Sequence, residues 1–346
     1  MDTYHRQIKG KTILITGGTG SFGNAVTDQL LKYDPERIVI FSRDEKKQFD
    51  MGNRLKTNKV RFITGDVRDK DSVSHAMYGV DYVFHAAALK QVPNCEFFPL
   101  AAFRTNALSA HNVIDAAIDN EVERVVVLST DKAVYPINVM GMTKALMEKI
   151  MIAAAREKRN HTVLCGTRYG NVMYTRASVI PYFIELMKAG QPIQVTNGKM
   201  TRFMMSLQQS IDLVLFALTN GENGDIYVRK APAATIEDLV AAMTSLFKYD
   251  KKTIEIGTRP GEKLHETLIS SEESHRAEDR GDYYRIKAEV PDMDIQTYFF
   301  KGEPGGLLPE VGYTSANTKQ LNVEELTTLL LSLTEVQNEV ATFGKK

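Results

Sequence analysis

At 346 residues, 43% apolar and 25% charged, the chain is long enough to bury a large core in two lobes and has the composition of a soluble globular protein. Its 43 Lys and Arg balance 43 Asp and Glu, which speaks against a nucleic-acid surface while leaving room for a local basic pocket. Two cysteines, Cys95 and Cys165, stand in no metal-ligand spacing, so a reduced, cytoplasmic chain without a metal is expected.

The chain opens with MDTYHRQIKGK, which lacks the apolar centre of a signal peptide, and no later apolar run reaches the roughly 18–20 residues that cross a bilayer. TILITGGTGSFGNAV then reads as a strand, a turn bearing Gly17, Gly18, Gly20 and Gly23, and a helix. The turn satisfies both G-x-G-x-x-G and G-x-x-G-x-x-G. Glycine permits the tight turn and the close approach of a pyrophosphate, and a helix start favours negative charge. A glycine-rich turn without a ligand is the alternative, and its place on the first strand–helix turn of an alternating chain weighs against it. The second strand, RIVIFS, leads into RDEKK. An acidic residue for the ribose 2′-hydroxyl is expected about 20 residues after the glycines. Ser42 and Arg43 stand there instead, and a guanidinium holds a 2′-phosphate with two hydrogen bonds, which favours NADP over NAD. Asp44 keeps open a plain solvated helix start.

VRFITGD is the third strand, with Asp66 at its end, where an adenine would be flanked. DYVFHAAALK is the fourth; its small residues let a dinucleotide lie close, or simply pack. RVVVLST is the fifth, and Thr130, Asp131 and Lys132 follow at its carboxyl end, where open α/β sheets bind ligands. By spacing alone, Asp131–Lys132 is equally compatible with a surface turn. In STDKAVYPINVMGMTK, Met140 and Lys144 are four apart and share a helix face. Met140 stands where nicotinamide enzymes with this pattern usually carry Tyr, and a thioether donates no proton and accepts only weakly. Tyr135 is nine residues from Lys144 and is no substitute.

Apolar runs alternating with polar helical stretches indicate parallel strands buried on both faces. The reading is α/β: a Rossmann-like doubly wound parallel sheet over 1–171 and a smaller mixed α/β lobe over 172–346, mainly for substrate and interleaved with the last strands of the sheet. MTRFMMSL, GDIYVRKA, TIEDLVAAMTSLF, TIEIG and GEKLHETL belong to that lobe. NVEELTTLLLSLTEVQNEV reads as a C-terminal helix with a Leu-rich face, for which packing on its own sheet is the plain alternative.

TGGTGSFG, FSRDEKK, GDVRD, FHAAALKQVP, LSTDKA with YPIN, RYGNV, MTRF and GEKLHETL together resemble the extended short-chain dehydrogenases that modify nucleotide sugars. Among these the resemblance is closest to the inverting UDP-N-acetylglucosamine 4,6-dehydratases, and it covers nearly the whole chain. Retaining sugar dehydratases show Asp-Glu where this chain has Asp131-Lys132. Met140 matches a subgroup of the N-acetyl-L-fucosamine pathway, known from bacterial capsule and O-antigen enzymes.

The resemblance implies a tightly bound, recycled NADP against Gly17, Thr19, Gly20, Ser21, Phe22 and Gly23. It adds Ser42, Arg43 and Lys47 on the second strand and helix, Asp66 and Val67 after the third strand, and Ala86, Ala87 and Ala88 after the fourth. Asn106, Ser129, Lys144, Tyr169, Gly170 and Asn171 complete the implied cofactor set. The implied substrate is UDP-N-acetylglucosamine, with Arg202 and Arg259 on the diphosphate, Glu262 on the uridine ribose, and Lys90 and Asn171 facing the sugar or nicotinamide. C4 is oxidised, Lys132 removes the acidified C5 proton, Asp131 helps the C6 hydroxyl leave, and C5 is reprotonated on its other face. As a base Lys132 needs its pKa, about 10.4 when free, brought toward neutrality by burial or neighbouring positive charge. The O4 proton falls to Lys132, Lys144 or a water. One departure is Tyr174 and Ala177 after RYGNV, which puts a bulky ring in the expected sugar-pocket wall. Homo-oligomers are implied as well. The alternatives are another nucleotide-sugar epimerase, a retaining dehydratase, or an NADP-binding protein without catalysis.

Overall fold

The structure, a computed structural model, describes residues 3–157, 161–175, 178–288 and 311–344. Short strands rich in Val and Ile alternate with helices from the start. α1 (Thr3–Ile8) precedes β1 (Thr12–Thr16), α2 (Ser21–Leu31), β2 (Arg37–Ser42), α3 (Glu45–Leu55), β3 (Val60–Thr64), α4 (Lys70–Ala76) and β4 (Tyr82–His85). α5 (Val92–Phe97) and α6 (Pro99–Phe103) run through a π-turn, Arg104–Leu108, into α7 (Ser109–Asp119), followed by β5 (Arg124–Leu128), α8 (Val139–Ala155) and β6 (Val163–Arg168).

Later segments return to the same sheet. After α9 (Val179–Lys188), β7 (Ile193–Val195), β8 (Thr201–Phe203) and α10 (Leu207–Asn220), β9 (Ile226–Arg229) pairs parallel to β6. β10 (Ala233–Thr235), α11 (Ile236–Phe247), β11 (Thr253–Glu255), β12 (Thr267–Ile269) and α12 (Ser271–Ser274) lead to β13 (Ala277–Arg280) and β14 (Tyr283–Ile286). The nine-stranded sheet runs β13-β14-β9-β6-β5-β4-β1-β2-β3; all pairs are parallel except the two involving β14. Strand order reverses between β1 and β4, which leaves a crevice at their carboxyl ends.

The period of two divides the sheet's side chains between two cores. Leu14, Val39, Val83, Val125 and Val127 meet α7 and α8 on one face. Ile13, Ile15, Ile38, Ile40, Phe84 and Val126 meet α2 and α10 on the other. β3 departs from the expected burial on both faces: it is an edge strand with a single neighbour and is largely half-exposed. A third core gathers α9, α11 and the C-terminal helices around Phe183, Leu239, Met243 and Leu330. The expected single C-terminal helix is two, Val323–Leu331 and Thr334–Thr342. Ser332 ends the first, its hydroxyl donating back to the Leu329 carbonyl at 2.6 Å. The Leu-rich face packs on this third core and not on the sheet.

Candidate active site

The crevice is built first by glycines. Gly17 has φ +67°, and a Cβ there would lie 2.9 Å from the backbone N and Cα of Ala87. A Cβ on Gly23 would lie 2.3 Å from the Gly18 carbonyl oxygen. The turn after β1 therefore packs directly on the Ala86–Ala88 segment after β4, and only glycine keeps the floor open. Gly20 caps α2 without a side-chain bond, so the first N–H groups of that helix, from Ser21 and Phe22, remain for an anion. Phe22 stacks on Tyr169 with 6.2 Å between ring centres. These features fit a dinucleotide pyrophosphate.

At the end of β2, the Ser42 and Thr19 hydroxyls bond at 2.8 Å. Asp44 caps α3 by accepting from the Lys47 N–H at 3.0 Å and pairs with Lys47 Nζ at 2.6 Å. Arg43 is more than half exposed, its Nη1 3.5 Å from Asp66. Asp66 is gripped by Arg68, which holds its carboxyl down at about 2. The Val67 carbonyl, at the same turn, accepts from Asn112 at 3.2 Å. Asn106 supports the wall from behind: its amide accepts from Leu89 N–H at 2.8 Å and donates to the Leu89 carbonyl and the Thr143 hydroxyl, each at 3.0 Å.

The end of β5 carries the ionisable groups. Asp131–Ala133 is a single 3₁₀ turn capped by Thr130, whose hydroxyl donates to Asp131 Oδ1 at 2.8 Å. Asp131 is fully buried, so the surface-turn alternative falls. Lys132 Nζ lies 3.1 Å from Asp131 Oδ1 and 3.4 Å from Glu266 Oε1. Arg202 joins them, its Nε 3.9 Å from Glu266, its guanidinium anchored on the carbonyls of Thr201 and Leu264. Lys263 donates to the Val134 carbonyl, and burial lowers its pKa. The expectation that Lys132 is brought toward neutrality is corrected. Burial works to lower its pKa, but the Asp131 and Glu266 carboxylates outweigh burial and leave it above the ordinary lysine value.

α8 packs onto this turn. A Cβ on Gly141 would lie 2.1 Å from the Lys132 carbonyl oxygen, and Asn138 caps the helix by accepting from Gly141 N–H at 2.8 Å. Lys144 is buried, donates to the Leu128 carbonyl at 2.7 Å, and is pushed down to about 8 by burial. Met140, on the same helix, is 5% exposed and packs in a small cluster with Cys95 and Ala102. Tyr135 is turned away, its hydroxyl bonding Ser271 and Glu272.

Among the described residues, several buried polar atoms near the strand ends lack a hydrogen-bond partner: His85 Nε2, Ser129 Oγ, Asp131 Oδ2, Asn171 Oδ1 and Glu266 Oε2. Buried polar groups are normally bonded, so this group marks a place for a polar ligand. Gly170 lets the chain pass Phe203, where a Cβ would meet the ring stem at 2.5 Å. Of the other expected substrate contacts, Lys90 is exposed, and Arg259 and Glu262 pair with each other at 4.0 Å on a neighbouring loop. That loop is tied to α8 by Asn138 donating to the Gly261 carbonyl at 2.9 Å. Tyr174, at φ +54°, packs on the third core and donates to Glu339 at 3.3 Å, which corrects the expected intrusion into the sugar-pocket wall. Ala177 lies outside the described residues. Sequence reasoning missed His85, Lys263 and Glu266, although all three stand in stretches it singled out. No cluster of three His, Cys, Asp or Glu side chains is placed to hold a metal among the described residues, and no helix there is long and apolar enough to cross a membrane.

Comparison with known proteins agrees with this architecture. The UDP-glucose 4-epimerases of Rickettsia conorii and Rickettsia canadensis are each 56% identical over 335 residues, covering 95% of this chain and 98% of theirs. The crystal structure of Pen from Bacillus thuringiensis is 36% identical with a TM-score of 0.86, covering 94% of this chain and 98% of that one. A dTDP-glucose 4,6-dehydratase from Streptomyces venezuelae, DesIV, shares the fold at 22% identity and a TM-score of 0.66, over 73% of this chain and 86% of its own. The sequence profile described as polysaccharide biosynthesis protein matches residues 13–288 and its C-terminal profile matches 292–337. The chain therefore belongs to the polysaccharide biosynthesis protein family, with the Rossmann-like fold of nucleotide-sugar epimerases and dehydratases.

Proposed function

We propose that the chain is an NADP-dependent UDP-N-acetylglucosamine 4,6-dehydratase that inverts C5. Its product would be UDP-2-acetamido-2,6-dideoxy-L-arabino-hexos-4-ulose, for a bacterial surface polysaccharide. The observation that carries this reading is the half-buried Lys132 held between the buried carboxylates of Asp131 and Glu266, each with an unpaired oxygen. A 4-epimerase needs proton handling only at O4. An amine held between two buried carboxylates is machinery for moving a proton on carbon as well.

The bound dinucleotide supplies the oxidant for C4 and the reducing equivalent for C6. Lys144 orients the nicotinamide ribose, and its amine, near 8, is the group best matched to the O4 proton that Met140 cannot handle. Transfer of the proton that the pair shares, from the Lys132 ammonium to Asp131 3.1 Å away, leaves the amine free to take the C5 proton and Asp131 able to protonate the departing C6 hydroxyl. Arg202 and Arg259 meet the diphosphate, Glu262 the uridine ribose, and Lys90 and Asn171 the sugar. A cytoplasmic homo-oligomer belongs to the same proposal. Arg43 selects NADP through its 2′-phosphate. Titration should give about tenfold or more tighter binding of NADP than NAD, roughly 1.4 kcal/mol, and Arg43→Ala should erase most of the gap. Equal affinities in the unmutated protein would remove Arg43 from this role.

The names of the Rickettsia relatives favour a second reading, 4-epimerisation of a UDP-hexose. Incubation with UDP-N-acetylglucosamine and with UDP-glucose in heavy water separates the two. The dehydratase yields a product lighter by one water, with deuterium at C5 and the L-arabino configuration by NMR. A C4 epimer of unchanged mass would replace the first reading with the second.

A further inference from the structure

Glu266 stands one residue before β12, 2% exposed, with its N–H donating to the Ser315 hydroxyl at 2.8 Å. One carboxylate oxygen lies 3.4 Å from Lys132 Nζ, and the other is buried without a partner among the described residues. A second buried carboxylate set in the same molecule shows what a purely structural role looks like. Glu148 and Glu273 each place both oxygens on Arg168, at 2.6 to 2.8 Å. Leaving a buried carboxylate half-used costs free energy that a structural ion pair avoids. The free oxygen of Glu266 therefore points to a functional demand beside Lys132.

We propose that Glu266 is a positioning residue of the proton-transfer site, sharing the Lys132 ammonium with Asp131 and holding it where the sugar reacts. The proposal deepens the dehydratase reading and rests on it for its catalytic consequence. Lys132 is faced by Asp131 and Thr130 from its own turn, by Glu266, by Arg202 of β8, by Lys263 of the following loop, and by Tyr169 after β6 through Asp131. Two carboxylates outweigh burial and the neighbouring cations, so the amine keeps its proton. With Glu266 neutralised, Asp131 alone opposes Arg202, Lys263 and burial, and Lys132 sheds its proton at lower pH.

The test is NMR of the full chain with ¹³C-labelled lysine and NADP⁺ bound, the Lys132 signal being identified by its loss in Lys132→Gln. Glu266→Gln should lower the Lys132 titration midpoint by about one pH unit or more, and Glu266→Asp, which keeps the charge but withdraws it, by less. With UDP-N-acetylglucosamine, kcat should fall about tenfold or more in Glu266→Gln while KM stays within about threefold, and the alkaline limb of the rate profile should move to lower pH. Glu266→Asp should recover part of the rate. If the Gln variant does not fold, the Asp variant carries the same reading by its intermediate midpoint. An unmoved Lys132 midpoint in the folded variants, or kcat within about threefold in Glu266→Gln, overturns the proposal. Failure of the unmutated chain to make a 4-keto-6-deoxy sugar would instead sink the dehydratase reading, and the NMR midpoint would still decide the place of Glu266.

Discussion

Lys144 carries a cost that its surroundings do not remove. Burial brings its ammonium from 10.5 to about 8, roughly 3 kcal/mol of disfavoured charge. Because the folded pKa lies below the unfolded one, the unfolded chain binds more protons between these two values. The penalty is therefore complete below about pH 8 and disappears as pH passes the unfolded value, about 10.5. Lys144→Met should raise unfolding free energy at pH 7 by about 1–2 kcal/mol, the Leu128 carbonyl losing its donor and taking back about 1 kcal/mol. The gain should vanish in denaturation at alkaline pH, and turnover should be lost throughout. A variant less stable than the unmutated chain at pH 7 would show that Lys144 is better solvated than its burial implies. Met140, one turn earlier, is a different kind of residue: it fills a small apolar cluster and offers no proton. Met140→Leu should keep stability and activity, whereas Met140→Ala should cost about 2–4 kcal/mol through the cavity it leaves. Turnover per folded molecule in Met140→Ala should stay within about tenfold, against the 10² to 10⁴ that a lost general base costs. A larger loss, with NADP binding intact, would give Met140 a direct part in the chemistry.

α8 joins most of the site, and its neighbours set what could be read in advance. The helix face shared by Met140 and Lys144 and the apolar strands β1, β2, β4 and β5 were legible because local spacing determines them. So were Gly17 and Gly23, whose lack of a Cβ the turn demands. Glu266 was not legible as a partner of Lys132, because the pairing is made by a distant segment, and GEKLHETL offers three charged residues of similar claim. Nor was the inward placement of Tyr174 on the third core, since nothing adjacent names Glu339 as its partner. The buried set of Arg168 at the end of β6, Glu148 on α8 and Glu273 on α12 escaped for the same reason. Arg168→Met should strand two buried carboxylates and lower stability at pH 7 by about 3–5 kcal/mol in chemical denaturation. Glu273 is held below the usual glutamate range by Arg168 against its burial, so losing the guanidinium raises its pKa. The destabilisation should shrink as pH falls and the stranded carboxylates take up protons. A loss independent of pH between about 7 and 4 would mean that packing, rather than charge, is what Arg168 contributes.

At the scale of the whole molecule, a cut at residue 171 does not separate two folding units. The core behind β1, β2 and β4 is completed by Ile211, Leu213, Val214, Leu215 and Leu218 of α10, which come from the second half of the chain. β9 of that half pairs with β6 of the first, and β14 then extends the sheet. A fragment ending at 171 would expose the β6 edge together with an apolar sheet face. An exposed edge beside uncovered Ile and Phe is a template for association. The fragment 1–171 should therefore be insoluble or molten, with broad amide NMR signals and no cooperative urea transition. The full chain should unfold as a unit in which circular dichroism and tyrosine fluorescence follow a single transition. On the proposed reading, in which NADP binds mainly to the first half, NADP should raise that transition for both probes together, because ligand affinity for the native state is shared across one cooperative unit. A folded fragment that binds NADP as tightly as the full chain would mean that α10 and β9 decorate a self-sufficient sheet rather than complete it.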